Sequence, residues 1–117
     1  MLVKVDHIDL RVTEFDETIA MFEKLGLAVK RSMPQRNSVE MALPGENQVV
    51  FEIHKVQDGA FTGIHHIAFK SEGENDDVEC LKAKGIEFKS EKKKIADTGR
   101  TVSSFSDGNG LTWQLTD

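Results

Sequence analysis

The sequence predicts an α+β domain made of two similar halves, each with one strand, one helix and three further strands. Apolar and polar residues alternate in the predicted strands, and apolar residues recur at helical spacing in one segment of each half. Both features return at a nearly fixed distance along the chain, which indicates an internal repeat. We therefore expect a single domain over residues 1–117, with one module at about 1–55, a connector at 55–63 and a second module at about 63–117.

The repeat is one of matched positions and contains few identical residues. His7 corresponds to His66 and Gly26 to Gly85, both at an offset of 59 residues. Glu52 corresponds to Gln114 at an offset of 62 residues, a drift that three additional residues in a loop of the second half explain. A common offset at a strand and at a helix end indicates a duplicated unit.

The first half begins with residues 3–12, whose alternation predicts a strand. Residues 13–16 (TEFD) place acidic side chains in the first turn of a helix, and Ile19 and Phe22 recur at helical spacing. Gly26 predicts the end of this helix, because glycine adopts the left-handed backbone conformation without a Cβ penalty. Three strands are predicted to follow at about 27–32, 38–43 and 48–55.

The second half predicts the same order of elements. Its helix spans 74–84 and ends at Gly85, and residues 106–110 (SDGNG) form a turn between the last two strands. The predicted strands of this half are 63–70, about 86–90, 100–106 and 110–116.

Composition and charge exclude several classes of partner. The chain has 20 acidic and 15 basic residues and a net charge of −5, which disfavours binding to nucleic acid or to an anionic membrane. No apolar run approaches the roughly 20 residues that span a bilayer, and residues 1–7 do not resemble a signal peptide. The single cysteine, Cys80, fits a reducing compartment, so a cytoplasmic protein is expected.

One face of the predicted strands is apolar, and the opposite face carries polar residues at matched positions of the two halves. These are His7 and Glu52 in the first half and His66 and Gln114 in the second. If an approximate twofold axis relates the halves, the four side chains converge on one point. Two imidazoles, a carboxylate and an amide oxygen suit Zn²⁺, Ni²⁺, Co²⁺, Mn²⁺ or Fe²⁺. The alternative is a solvated sheet face, which also carries polar residues.

These residues resemble the vicinal oxygen chelate superfamily over nearly the whole chain. The superfamily includes glyoxalase I, methylmalonyl-CoA epimerase, extradiol dioxygenases and the fosfomycin and bleomycin resistance proteins. The segments that carry the resemblance are, in order, 6–12 (DHIDLRV), 22–27 (FEKLGL), 65–69 (HHIAF) and 105–115 (FSDGNGLTWQL).

The resemblance implies two βαβββ modules whose sheets form an incomplete eight-stranded barrel around one divalent metal ion, and it favours a homodimer. Family ligands carried over by position fall on His7, Glu52, His66 and Gln114. The last position is usually Glu in the family, so Gln114 is a departure that disfavours the dioxygenases and the fosfomycin transferases. The chain is most similar to the glyoxalase I-like and epimerase-like members.

The hypothesis that follows is a glyoxalase-like lyase or isomerase that abstracts a proton α to the carbonyl of a small carbonyl or thioester substrate. Glu52 would be both metal ligand and base, because the amide of Gln114 does not titrate. Asp9, His54 and Arg100 are candidates for contact with the substrate, although a surface position is expected for His54. The alternative is a metal-free protein on the same scaffold that binds a small molecule in resistance or sequestration.

Overall fold

The computed structural model describes the backbone of residues 1–117 and the side chains of all residues except 74 and 75. Eight strands and two α-helices alternate along this described backbone as two βαβββ modules, which confirms the predicted α+β class. No helix in the described part of the chain has the length and apolar character to cross a membrane. The elements are β1 (Leu2–Val12), α1 (Phe15–Lys24), β2 (Ala28–Met33), a 3₁₀ helix (Pro34–Arg36), β3 (Ser38–Ala42), β4 (Val50–Lys55), β5 (Gly63–Ser71), α2 (Glu74–Ala83), β6 (Phe88–Lys94), β7 (Thr101–Ser106) and β8 (Thr112–Thr116).

The chain divides into two compact units. The first unit is His7–His65, and the second is Met1–Asp6 together with His66–Asp117. The strand order is β2-β3-β4-β1 in the first unit and β5-β8-β7-β6 in the second. In each unit the first and last strands of the module pair in parallel, and the other neighbours are antiparallel. The expectation of a single domain over the whole chain stays a prediction.

Strand register reproduces the sequence repeat. Asp9 in β1 lies opposite Glu52 in β4, and Ala68 in β5 lies opposite Gln114 in β8. His7 and His66 each precede these residues by two positions and therefore lie on the same face of their strands. The two units differ in the residue opposite the last polar position: Asp9 lies opposite Glu52 in the first unit, and Ala68 lies opposite Gln114 in the second.

The first unit has an apolar core between its sheet and α1. Leu27, Val39, Met41 and Ile53 are buried there, and further apolar side chains pack against them. Phe22 of α1 meets Phe51 of β4 edge to face, with the ring centroids 5.4 Å apart. These contacts agree with the apolar strand face predicted from the alternation. The partly buried residues around the cluster are Leu10, Val12, Phe15, Ile19, Phe22 and Phe51.

The second unit buries its apolar strand face incompletely, because Ile67, Phe69 and Trp113 are only half-buried there. Leu115 and Val78 are fully buried, and Phe69 stacks on Trp113. Leu111 falls on the apolar face of the strand predicted at 110–116, which was expected to be buried, but it is 51% exposed. That prediction is wrong because Leu111 belongs to the turn before β8, where its backbone nitrogen donates to the Asp107 carboxylate.

Gly26→Ala is expected to lower the free energy of unfolding by about 1–2 kcal/mol, because an L-residue pays roughly that cost in the left-handed region. Gly26 has φ +102°, and an added Cβ would meet nothing closer than Leu43 Cδ2 at 3.9 Å, so conformation alone sets the loss. Urea unfolding measures it. The matched control is Gly108→Ala, where φ is not positive and the Cβ meets nothing within 4 Å. Equal losses for both variants would contradict this account.

Candidate functional site

The polar face of the first unit consists of buried polar side chains on β1, β3 and β4. Each is 4% exposed or less, which is not what a solvated sheet face would show. Buried polar groups need hydrogen-bond partners or ligands, so this surface is the candidate site. The residues of the polar face are His7, Asp9, Ser38, Glu40, Glu52 and His54.

Register explains why these side chains lie together. Asp9 and Glu40 each lie opposite Glu52, from the two strands that flank β4. Ser38 lies opposite His54 in the same β3–β4 pair. Directly opposed residues point to one face, while Val39 and Met41, one position away, point to the apolar core. The alternation of three strands thus separates core from site.

His54 bridges two carboxylates. Its Nε2 lies 2.7 Å from Glu52 Oε1 and 3.1 Å from Asp9 Oδ2. Arg11 holds the other side of Asp9, with Nε 2.7 Å from Oδ1 and Nη2 3.4 Å from Oδ2. The expectation that His54 lies at the surface is wrong: its side chain is 4% exposed, because β4 lies between β1 and β3 and the imidazole is directed to the buried carboxylates of Asp9 and Glu52.

Two further arginines reach this face from β2 and the 3₁₀ helix. Arg36 Nη2 lies 3.3 Å from Glu52 Oε1 and 3.5 Å from His54 Nε2. Arg31 Nε lies 3.8 Å from the Oε1 atom of Glu40. Each of the three carboxylates on the polar face therefore has an arginine beside it.

The groups around His54 and Glu52 raise the pKa of the histidine and lower the pKa of the glutamate. Burial alone would lower the pKa of His54, but its hydrogen bonds to Asp9 and Glu52 raise the pKa to about 9. Burial alone would raise the pKa of Glu52, but the hydrogen bond with His54 and the charges of His54 and His7 bring that pKa below its ordinary value. At neutral pH the structure therefore holds an imidazolium next to an ionised Glu52.

The contribution of His54 to stability is expected to vanish in alkali. Its pKa is raised on folding, so this stabilisation is complete below pH 6.5 and is lost as the pH rises through about 9. The difference in unfolding free energy between wild type and His54→Gln should then shrink by about 3 kcal/mol over that interval, since one pKa unit corresponds to about 1.4 kcal/mol. Urea unfolding with a chelator present measures it. A difference that is independent of pH would contradict the imidazolium.

The donor atoms of the polar face fit a divalent metal ion. Asp9, Glu52 and His54 each offer one ligand atom, and these three atoms lie within 4.8 Å of one another. Two carboxylate oxygens and an imidazole nitrogen suit the borderline divalent ions. Because His54 Nε2 now contacts both carboxylates, an ion bound at these atoms would compete with the proton of His54.

The second unit holds the remaining predicted residues. His66 is buried on β5, and Gln114 is half-buried on β8 opposite Ala68. Arg100 Nε lies 3.3 Å from Asp6 Oδ2, so its charge is matched within this unit. The convergence of His66 and Gln114 with His7 and Glu52, and a substrate contact for Arg100, stay predictions.

Sequence reasoning missed Glu40, Ser38 and the arginines Arg11, Arg31 and Arg36. For Ser38 and Glu40 a signal was present, because residues 38–42 (SVEMA) alternate as the other strands do. For Arg36 there was none, because its contacts depend on how the 3₁₀ helix meets β4 and not on a local pattern.

Solved structures with this fold include several methylmalonyl-CoA epimerases. A Streptomyces coelicolor epimerase variant in complex with 2-nitronate-propionyl-CoA is 17% identical, with a TM-score of 0.75 over 99% of this chain and 97% of that one. A methylmalonyl-CoA epimerase in complex with methylmalonyl-CoA and NH4+ is 18% identical (TM-score 0.75, 99% and 94% covered). The Mycobacterium tuberculosis epimerase is 15% identical (TM-score 0.69, 98% and 87% covered).

At these identities the similarity establishes the fold alone. No curated protein sequence matches the chain. A family profile does: the Glyoxalase/Bleomycin resistance protein/Dioxygenase superfamily matches residues 4–115, nearly the whole sequence. Together with the paired βαβββ modules, this match confirms the predicted resemblance. The chain belongs to the Glyoxalase/Bleomycin resistance protein/Dioxygenase superfamily.

Proposed function

We propose that the protein is a metal-dependent lyase or isomerase that abstracts a proton α to the carbonyl of a small carbonyl or thioester substrate. The observation that carries this proposal is Glu52, a buried carboxylate whose pKa lies below its ordinary value beside His54. An ionised carboxylate in a site of low exposure is available as a general base at neutral pH.

Glu52 would accept the α-proton on a carboxylate oxygen. His54 supports this role, because its hydrogen bond at 2.7 Å fixes the Glu52 oxygen in place. Asp9 in turn fixes His54, and Arg11 fixes Asp9. Return of the proton to the same carbon on the other face would give epimerisation, and return to a neighbouring atom would give isomerisation. Glu40, opposite Glu52 in the sheet, would deliver a proton only if it carried one beforehand; Glu52 would then end protonated and Glu40 ionised, and proton exchange with water would restore both.

The proposed metal ligands are His7, Glu52, His66 and Gln114, with Asp9 and His54 as the further donors close to Glu52. A divalent ion supplies positive charge that stabilises negative charge developing on a carbonyl oxygen. Superfamily members commonly bind such an ion, and the donor chemistry of the polar face supports one here.

Methylmalonyl-CoA is the first substrate to test, because structural neighbours are epimerases that bind it or a nitronate analogue. The protein would be incubated in D₂O with methylmalonyl-CoA and with Zn²⁺, Ni²⁺, Co²⁺ or Mn²⁺. Metal-dependent deuterium incorporation at the α-carbon, followed by NMR, is the expected result. Absence of exchange on this thioester and on a panel of α-hydroxy and α-methyl thioesters, with metal bound, would overturn the proposal.

A second candidate is a metal-free protein that binds a small molecule. The observation that favours it is the pairing of Asp9 and Glu52 with Arg11, Arg36 and His54, whose positive charges already more than offset the two carboxylates. The replacement of a family carboxylate by Gln114 points the same way. Metal analysis of purified protein separates the candidates: a stoichiometric ion that is lost in His7→Ala supports the enzyme, and ligand binding in chelator without exchange supports the binding protein.

A further inference from the structure

The hydroxyl of Ser38 is a buried polar group on the face that forms the candidate site. Ser38 begins β3, lies on the polar face and is 2% exposed. Its Oγ has no hydrogen-bond partner within the part of the chain whose side chains are described. An unsatisfied buried hydroxyl destabilises a folded chain, and native structures usually provide such a group with a partner. A bound ligand could supply the missing partner of the Ser38 hydroxyl.

Arg36 and Ser38 flank one side chain. Ser38 lies directly opposite His54 in the β3–β4 pair, and Arg36 Nη2 lies 3.5 Å from the Nε2 of the same histidine. Opposed residues of an antiparallel pair have Cβ atoms about 4.5–5.5 Å apart. Lys55 N donates to the Asn37 carbonyl at 2.9 Å and so holds the intervening residue against the end of β4. The guanidinium and the hydroxyl are thus fixed beside the same imidazole.

Arg36 makes a long contact with Glu52. Its Nη2 lies 3.3 Å from Glu52 Oε1, whereas charge-assisted hydrogen bonds of this kind are about 2.7–2.9 Å long. A third of its side chain, 35%, is exposed. The polar face has no excess of negative charge to repel an anion, because three arginines stand beside its three carboxylates. The matched groups are Arg11, Arg31 and Arg36 with Asp9, Glu40 and Glu52.

We propose that Ser38 and Arg36 form a subsite for the carboxylate group of a small ligand. Arg36 supplies the charge and one hydrogen bond, and the Ser38 hydroxyl donates to the second carboxylate oxygen. The inference rests on the proposed function in one respect: it places an anionic group of the substrate beside Glu52, the proposed base, which Arg36 also contacts.

Binding of malonate and of its neutral analogue malonamide to the metal-free and metal-loaded protein tests this subsite. Wild type is expected to bind malonate and not malonamide, and inorganic phosphate at the same concentration is expected to compete poorly. Arg36→Gln and Ser38→Ala should each weaken malonate binding by about five- to tenfold, and Arg36→Lys should weaken it less than Arg36→Gln. Phosphate that binds as well as malonate, or malonamide that binds equally, would overturn the assignment to a carboxylate.

Ser38→Ala also has an expected effect on stability that a structural hydroxyl would not show. Because the Ser38 hydroxyl has no partner in the free protein, its removal should raise Tm by about 3 °C in the absence of ligand. The matched control is Ser103→Ala, another buried strand serine, whose Oγ accepts a hydrogen bond from Lys92 N at 2.9 Å. That variant should have a lower Tm and unchanged affinity for malonate.

A lower Tm and unchanged malonate affinity in Ser38→Ala would assign its hydroxyl to the structure and overturn the proposal. These measurements do not involve catalysis, so they succeed or fail independently of proton exchange. Binding of malonate through Ser38 and Arg36 without α-proton exchange would support the subsite and contradict the proposed enzyme activity. Proton exchange with unchanged kinetics in both Arg36→Gln and Ser38→Ala would support the enzyme activity and contradict the subsite.

Discussion

Glu52→Gln is expected to lower the rate of α-proton exchange on methylmalonyl-CoA by about 10²–10⁴-fold, the usual contribution of a positioned general base. The amide keeps the size of the carboxylate and still offers an oxygen to His54, which lies 2.7 Å away. It does not accept the α-proton at neutral pH, whereas the pKa of Glu52 lies below its ordinary value and leaves the wild-type carboxylate ionised. Deuterium incorporation at pH 7, followed by NMR, measures the loss.

Metal analysis of the same variant separates the two roles proposed for Glu52. Lost exchange with retained metal assigns the base, and loss of both assigns the ligand. The matched control is Glu46→Gln in the exposed turn before β4, which should leave exchange unchanged. Glu40→Gln tests the carboxylate opposite Glu52. Exchange that survives in Glu52→Gln and disappears in Glu40→Gln would transfer the role of base to Glu40.

Strand alternation was sufficient to predict the faces of β1 and β4. Within each strand the polar positions are two residues apart, so His7 shares a face with Asp9 in β1, and Glu52 shares a face with His54 in β4. The βαβββ order follows from the repeat in the same way, whereas the parallel pairing of β1 with β4, which brings Asp9 opposite Glu52, does not follow from it. Fold and polar face could therefore be predicted because both depend on periodicity.

Contacts across strands and from the 3₁₀ helix could not be predicted in this way. The burial of His54 depends on Asp9 from β1 and on Arg36 from beyond β2, residues that lie 45 and 18 positions away in the sequence. Such contacts are determined by strand register and by the geometry of the 3₁₀ helix between β2 and β3. Neither can be recognised in the sequence pattern of residues 50–55. The same holds for Leu111, where the pattern predicts a strand face but the chain is still in the turn.

Asp9→Ala is expected to destabilise the fold by about 3–5 kcal/mol, the usual cost of removing one partner from a buried ion pair. Asp9 is fully buried, and both of its oxygens are engaged: Oδ1 with Arg11 Nε at 2.7 Å and Oδ2 with His54 Nε2 at 3.1 Å. Without the Asp9 carboxylate, His54 keeps its contact with Glu52, and Arg11 loses its contact at 2.7 Å. Urea unfolding at pH 7 with a chelator present measures the change.

Two variants show whether the loss comes from the carboxylate itself. Asp58→Ala removes an exposed aspartate from the connector and should change stability by no more than about 0.5 kcal/mol. Asp9→Asn keeps the shape and one acceptor oxygen, so it should lie between wild type and Asp9→Ala, because the amide still accepts from Arg11 but loses the charge that raises the pKa of His54. Raising the pH through 9 should reduce the difference in free energy of unfolding between wild type and Asp9→Asn. His54 loses its proton there, so the negative charge of Asp9 no longer stabilises an imidazolium. A loss below 1 kcal/mol in Asp9→Ala would mean that the Arg11–Asp9–His54 contacts contribute nothing to folding, and a gap that widened in alkali would mean that His54 is not the cation that Asp9 stabilises.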